Sequence, residues 1–245
     1  MKVIVTKNYE ESCKVTADLI LQQVNENPSS KLGLATGGTC ENVYPFLVKA
    51  YEEKKVDFSK ITTVNLDEYM GMDPASDQSY LNYMNKRFFG PVNLDLSRTY
   101  VPSGLNDAEQ EIATFNDKLY GDGHLLDFQL LGIGVSGHIG FNEPGKLIAG
   151  VHIQELDEST IKANSRFFEN ESDVPTESIT MGVGDIMKAS KIALIATGDN
   201  KVPVIKKLLT DDEVTTEVPA TVLKLHRDVT IVIDEDLAAK AGWTK

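Results

Sequence analysis

The chain has 245 residues, 41% apolar and 25% charged, with a formal net charge of −13. That is ordinary globular composition, enough to bury one substantial core as a single domain over residues 1–245, and it argues against disorder. The negative field opposes nucleic acid and anionic membranes, both of which are bound through clustered Lys and Arg. An anionic ligand would have to be held locally, by backbone N–H groups and a few placed cations.

Taken in chain order, Met1-Lys2-Val3-Ile4-Val5-Thr6 reads as a first strand (Lys2–Val5) without the apolar core of a secretory signal. Cys13, Ala17, Ile20 and Val24 then fall on one helical face. Cys13 and Cys40 are the only cysteines and make no disulfide framework, so a reducing, cytoplasmic setting is expected. Leu32–Ala35 predicts a buried strand, and Val43, Tyr44, Leu47, Val48 and Tyr51 predict the helix after it. Further strands are expected at Ile61–Leu66, Phe128–Ile133, Ile192–Ala196 and Val229–Ile233. The stretch from Phe141 to Val151 reads as a long irregular loop after a strand. No apolar run approaches the roughly 20 residues that span a bilayer. Short strands alternating with helices predict an α/β fold: one domain, a mostly parallel, doubly wound, Rossmann-like sheet with helices on both faces.

In such sheets ligands bind at the carboxyl ends of the strands, where strand order reverses. Three predicted strand ends carry unusual residues. Thr36-Gly37-Gly38-Thr39 follows the second strand and reads either as a phosphate turn at a helix start or as a plain strand–helix connection. It lacks the Gly-Lys-Ser/Thr ending of a P-loop. Asn65-Leu66-Asp67-Glu68-Tyr69 closes the third strand with adjacent carboxylates, read either as a general base with raised pKa or as a cap and a solvated acid. Gly132, Gly134 and Gly137 match the dinucleotide fingerprint G-x-G-x-x-G, but Gly140, Pro144 and Gly145 break the helix that fingerprint requires. What remains is a glycine-dense loop presenting His138 and Glu143. His124, His152 and His226 read as structural or solvated, and Met181 and Met187 as a buried helix face.

These segments, with Gln78-Ser79-Tyr80, Gly137-His138-Ile139-Gly140-Phe141-Asn142-Glu143-Pro144-Gly145, Asn164-Ser165-Arg166-Phe167-Phe168 and Ile179-Thr180-Met181-Gly182, resemble the glucosamine-6-phosphate deaminase family over nearly the whole chain. The resemblance implies conversion of glucosamine 6-phosphate to fructose 6-phosphate and ammonia. Asp67 would be the base moving a proton between C2 and C1, with Glu68 supporting it. His138 would open the sugar ring, oriented by Glu143. Thr36, Gly37, Gly38 and Thr39 would cradle the phosphate, joined by Gly137, Arg166 and Lys201. It implies no metal or organic cofactor, a phosphorylated amino-sugar substrate, no nucleic-acid or membrane partner, and a monomer or small homo-oligomer. Arg166 and its Phe-Phe neighbours favour the gluco over the galacto epimer. A 6-phosphogluconolactonase-type hydrolase and a non-catalytic sugar-phosphate sensor are the other readings of this fold.

The chain departs from the family at three places. Ser136 stands where Asp or Asn is common and supplies no second carboxylate behind His138, although it belongs to the catalytic set. Cys40 stands where proline is usual and is a candidate reactive thiol. Lys146-Leu147-Ile148-Ala149-Gly150 lacks the paired serines of allosteric members, so no activation by N-acetylglucosamine 6-phosphate is expected.

Overall fold

Strands without alternation, such as Leu130-Leu131 or Ile192-Ala193-Leu194-Ile195, must be buried on both faces, and these residues are. The computed structural model describes residues 1–244, which form ten strands and eight α-helices. The strands are β1 (Lys2–Thr6), β2 (Lys31–Leu34), β3 (Thr62–Asn65), β4 (Asp67–Tyr69), β5 (Thr99–Tyr100), β6 (Phe128–Leu131), β7 (His152–Glu155), β8 (Glu177–Thr180), β9 (Lys191–Ala196) and β10 (Val229–Asp234). The helices are α1 (Tyr9–Glu26), α2 (Tyr44–Glu52), α3 (Tyr80–Met84), α4 (Ala108–Tyr120), α5 (Glu158–Asn164), α6 (Val183–Ile186), α7 (Val202–Thr210) and α8 (Glu235–Lys240).

Seven strands form one parallel sheet in the order β1-β10-β9-β6-β2-β3-β5. From β2 the chain steps outward to β3 and β5, then returns to the other side of β2 at β6 and continues through β9 and β10. The order therefore reverses between β2 and β6, and a crevice opens there at the carboxyl ends. Right-handed crossovers put α1 and α2 on one face and α4 and α7 on the other. The predicted α/β sheet is the one observed, and all six predicted strands are present.

Helix α1 starts where Asn8 accepts the Glu11 N–H, and its Cys13, Ala17, Ile20 and Val24 are buried against the sheet, as their spacing predicts. The main core is lined by Leu32, Leu34, Tyr44, Leu47, Phe88 and Phe115 among others.

Two features differ from the sequence reading. Ile61–Leu66 does not run on as one strand: the main sheet ends at Asn65, and Asp67–Tyr69 crosses into a second, antiparallel sheet of order β4-β8-β7. Period-2 burial is weak in these three- and four-residue strands, which hides them. Met181 is buried in the connection after β8 rather than on a helix face. No helix of the described residues is long and apolar enough to cross a membrane.

Candidate active site

The crevice holds a cavity of about 400 Å³, lined from the ends of β2, β3, β6 and β9 and from α5. At one end lies the turn Thr36-Gly37-Gly38-Thr39. Its carbonyls are occupied from outside: Tyr9 Oη lies 3.1 Å from Gly38 O and 2.9 Å from Thr39 O, and the Tyr83 hydroxyl lies 3.4 Å from Gly37 O. The Gly37 carbonyl also accepts the Cys40 and Glu41 N–H groups. The N–H groups of Gly37, Gly38 and Thr39 donate to no other described residue, which makes a nest of free donors suited to an anion.

Two cations complete that end. Arg166 sits on a 3₁₀ turn (Ser165–Phe167) after α5, its guanidinium 4.7 Å from the Phe167 ring centre and beside Gly38. Lys201 closes a 3₁₀ turn (Asp199–Lys201) after β9, just ahead of α7, whose Pro203 occupies the first turn. Burial, and secondarily Arg166, lowers the Lys201 pKa to about 8. Neither cation pairs with a carboxylate among the described residues. Two facing cations without a counter-charge are costly unless an anion joins them.

Elsewhere in the cavity lies Asp67. Burial, and then the neighbouring Glu68, raises its pKa to about 8. No hydrogen bond from a described residue stabilises its carboxylate. Glu68 is different in kind: it accepts from Tyr69 N at 3.0 Å, Tyr80 N at 2.8 Å and Ser79 Oγ at 3.1 Å, and so holds the start of α3. Burial pushes its pKa to about 7 against those hydrogen bonds. The two acids that sequence could not separate are thus one free carboxyl and one structural acceptor.

His138 lies on the glycine loop after β6, close to Gly134. A Cβ on Gly134 would stand 2.2 Å from the ring Nε2, so only glycine admits the imidazole there. Gly140, at φ +55°, makes the second close approach: a Cβ would lie 3.0 Å from Thr180 Oγ1 and 3.5 Å from Asp67 Oδ2. Thr180 is the tight neighbour, and Asp67 lies beside the His138 loop at ordinary van der Waals distance. The His138 Nδ1 faces Glu143 Oε2 at 3.0 Å, Ser136 Oγ at 3.0 Å and Thr160 Oγ1 at 3.3 Å. Ser136 also donates to Glu143 Oε2 at 3.1 Å. Burial acts to raise the Glu143 pKa, but His138 and the Thr160 and Ser136 hydroxyls outweigh it and hold the carboxyl low. With Nδ1 committed to this cluster, Nε2 is the nitrogen left for a ligand.

The structure brings most of the predicted residues together. Thr36, Gly37, Gly38, Thr39, Asp67, His138, Arg166 and Lys201 line the cavity, while Ser136 and Glu143 stand behind His138. Gly137 is a correction: it is not in the lining, and a Cβ there would meet Val218 Cγ1 at 2.5 Å. At φ +85° it turns the loop and offers its carbonyl to Ala220 N. Cys40 is a second correction. It is fully buried, and burial raises its pKa to about 12, which leaves no accessible thiolate. No helix opens inside the glycine loop, as Gly140 and Pro144 require; the next helix is α5. Sequence reasoning missed Tyr9, Thr160, Thr197 and Asn200, which line the cavity without a motif of their own. No group of three or more His, Cys, Asp or Glu among the described residues could hold a metal.

Residues 7–232 match the family described as glucosamine-6-phosphate isomerases/6-phosphogluconolactonase. The chain belongs to this family. A glucosamine-6-phosphate deaminase of Clostridium perfringens strain 13 is 48% identical over 240 residues, covering 97% of this chain and 98% of that one. A second glucosamine-6-phosphate deaminase, of Thermoanaerobacter sp. strain X514, is 46% identical, covering 98% and 94%. Among solved structures, a monomeric glucosamine-6-phosphate deaminase superposes with a TM-score of 0.94 at 39% identity, covering 98% of this chain and all of that one. A 6-phosphogluconolactonase of Thermotoga maritima shares the fold, with a TM-score of 0.75 at 17% identity over 95% of this chain and 98% of that one.

Proposed function

We propose that this chain is a glucosamine-6-phosphate deaminase, an amino-sugar phosphate deaminase/isomerase that releases ammonia. The observation that carries the reading is the polarity of the cavity. Free N–H groups, Arg166 and Lys201 gather round the Thr36–Thr39 turn, and a buried, unbonded carboxyl, Asp67, lies close to the His138 loop. An amino-sugar phosphate has the matching charges, an anionic phosphate at C6 and an amine at C2.

The phosphate binds the N–H groups of the Gly37 turn, with Arg166 and Lys201 supplying the charge that a chain of −13 lacks. His138, oriented through Nδ1 by Glu143 and Ser136, exchanges a proton at the ring oxygen as the C1–O5 bond breaks. Asp67 takes the C2 proton, the C–H electron pair becomes the second bond between C1 and C2, and the C1 carbonyl pair moves onto O1, which takes a proton from solvent. Asp67 then returns its proton to C1 as the nitrogen lone pair forms the C2 imine. The C2 imine formed this way adds water and loses ammonia, leaving the ketose phosphate. A base, an acid–base partner and an anchor suffice for this chemistry, so neither a metal nor an organic cofactor has a role in the reading. We read residues 1–245 as one deaminase domain, acting in the cytoplasm as a monomer or small homo-oligomer.

A substrate panel tests this. Glucosamine 6-phosphate is expected to yield ketose phosphate, with galactosamine 6-phosphate slower and 6-phosphogluconolactone unhydrolysed. Lactone hydrolysis alone would overturn the reading, and galacto turnover alone would move the specificity.

A further inference from the structure

The short segment of α5 and its following 3₁₀ turn touches the cavity at two chemically different places. Thr160, 1% exposed, reaches the His138–Glu143 cluster with its hydroxyl 3.3 Å from His138 Nδ1. Arg166, six residues later on the same piece of chain, stands beside Gly38 in the anion nest. Between them Asn164 donates to Tyr69 Oη at 2.9 Å, and Phe168 meets the Tyr69 ring edge-on at 5.9 Å. Ile161 and Phe168 pack on a small apolar cluster of Tyr69, Met72, Phe141 and Leu156, separate from the main core. The segment therefore rests on the edge of β4, not on the central sheet, and it carries Thr160 and Arg166 on one short piece of chain.

We propose that Thr160 is a positioning residue for His138, and that it transmits occupancy of the phosphate nest, through Arg166, to the hydrogen bonding of the imidazole. Thr160 already stands 3.3 Å from Nδ1, and an anion bound between Arg166 and the Gly37 turn anchors the segment that carries it. The anchored hydroxyl fixes the ring with Nε2 toward the substrate. In this way binding at the far end of the sugar phosphate contributes to the reacting end, where it is useful only during the reaction. The other groups facing the imidazole are Glu143 and Ser136 on its own loop, with Phe141 at 6.1 Å between ring centres. Asp67 lies beside Gly140 on the same loop's flank, and Asp67, Arg166 and Lys201 share the cavity with the ring. Thr160 is the one of the three hydroxyl and carboxyl partners of Nδ1 that comes from the segment holding Arg166.

Thr160→Val keeps the branched shape and removes the hydroxyl, and Thr160→Ser restores it. The kinetic part of the test rests on the deaminase reading; the spectroscopic part does not. With ¹⁵N-labelled histidine, only four imidazoles contribute, and inorganic phosphate serves as the probe of the nest. In wild type and Thr160→Ser, phosphate is expected to shift the His138 Nδ1 resonance, and in Thr160→Val and Arg166→Ala it is expected not to. In turnover, Thr160→Val is expected to lower kcat about tenfold, the scale of one hydrogen bond to a charged group, with KM within about twofold of wild type and Thr160→Ser near it. A phosphate-induced shift of equal size in wild type and Thr160→Val overturns the coupling. Wild-type kcat in Thr160→Val overturns the positioning role.

Discussion

Glu143 meets His138 only through Nδ1, at 3.0 Å, from a position behind the cavity lining. The carboxylate touches no part of the cavity, so its effect on the reaction passes through the ring. Glu143→Gln keeps the shape but presents an amide to Nδ1 and removes the charge that stabilises an imidazolium. We expect kcat to fall about 10²-fold, at the lower end of the range for acid–base groups, with KM close to wild type. Near-wild-type kcat would show that the ring needs no charged partner.

The pH dependence follows from two groups that titrate close together. Asp67 must be ionised to act as base, and its pKa of about 8 makes kcat/KM rise as pH passes upward through that value. Lys201 must be protonated to hold phosphate, and its pKa of about 8 makes kcat/KM fall above it. The expected profile is a narrow bell centred near pH 8. Lys201→Arg cannot lose its proton in this range and is expected to abolish the alkaline fall while leaving the acid limb. An alkaline limb unchanged in Lys201→Arg would assign it to another group.

Asp67 also sets a stability trend. Its folded pKa of about 8 lies above the ordinary carboxylate value of 3.8, so from about pH 4 to pH 8 the unfolded chain is ionised there while the native state keeps its proton. Stability is lost as pH rises through that window and levels off above it. Asp67→Asn removes the burden, on the order of a few kcal/mol at pH 7. Its Tm is expected to exceed wild type by more at pH 8 than at pH 5, while kcat falls by roughly 10²–10⁴-fold. Equal Tm values at pH 8 would contradict a buried, destabilised carboxyl.

The segment Lys146–Gly150 has its backbone engaged. Ile148 O accepts from Val183 N at 2.8 Å and Ala149 O from Asp185 N at 3.1 Å, so it holds the start of α6. With no paired serines there, N-acetylglucosamine 6-phosphate is expected to leave a hyperbolic rate curve unchanged. Clear activation would place an effector site here after all.

The sheet was legible in the sequence because buried parallel strands are written as short apolar runs between helical faces. The reversal point was legible too, since Thr36-Gly37-Gly38-Thr39 and the His138 loop carry residues that packing does not need. Thr160 and Tyr9 were not, because their roles rest on contacts 22 and about 30 residues away. The β4-β8-β7 sheet was hidden by strands of three and four residues. The burial of Cys40 was not legible, because it comes from elements distant in sequence.

The measurement that bears most directly on the central claim compares the purified chain with its Asp67→Asn variant on glucosamine 6-phosphate, following ammonia and fructose 6-phosphate together. The account predicts that wild type releases the two products one for one, and that the variant still binds substrate but releases neither at an appreciable rate. Ammonia and fructose 6-phosphate appearing from the variant at the wild-type rate, or from neither protein, would contradict it.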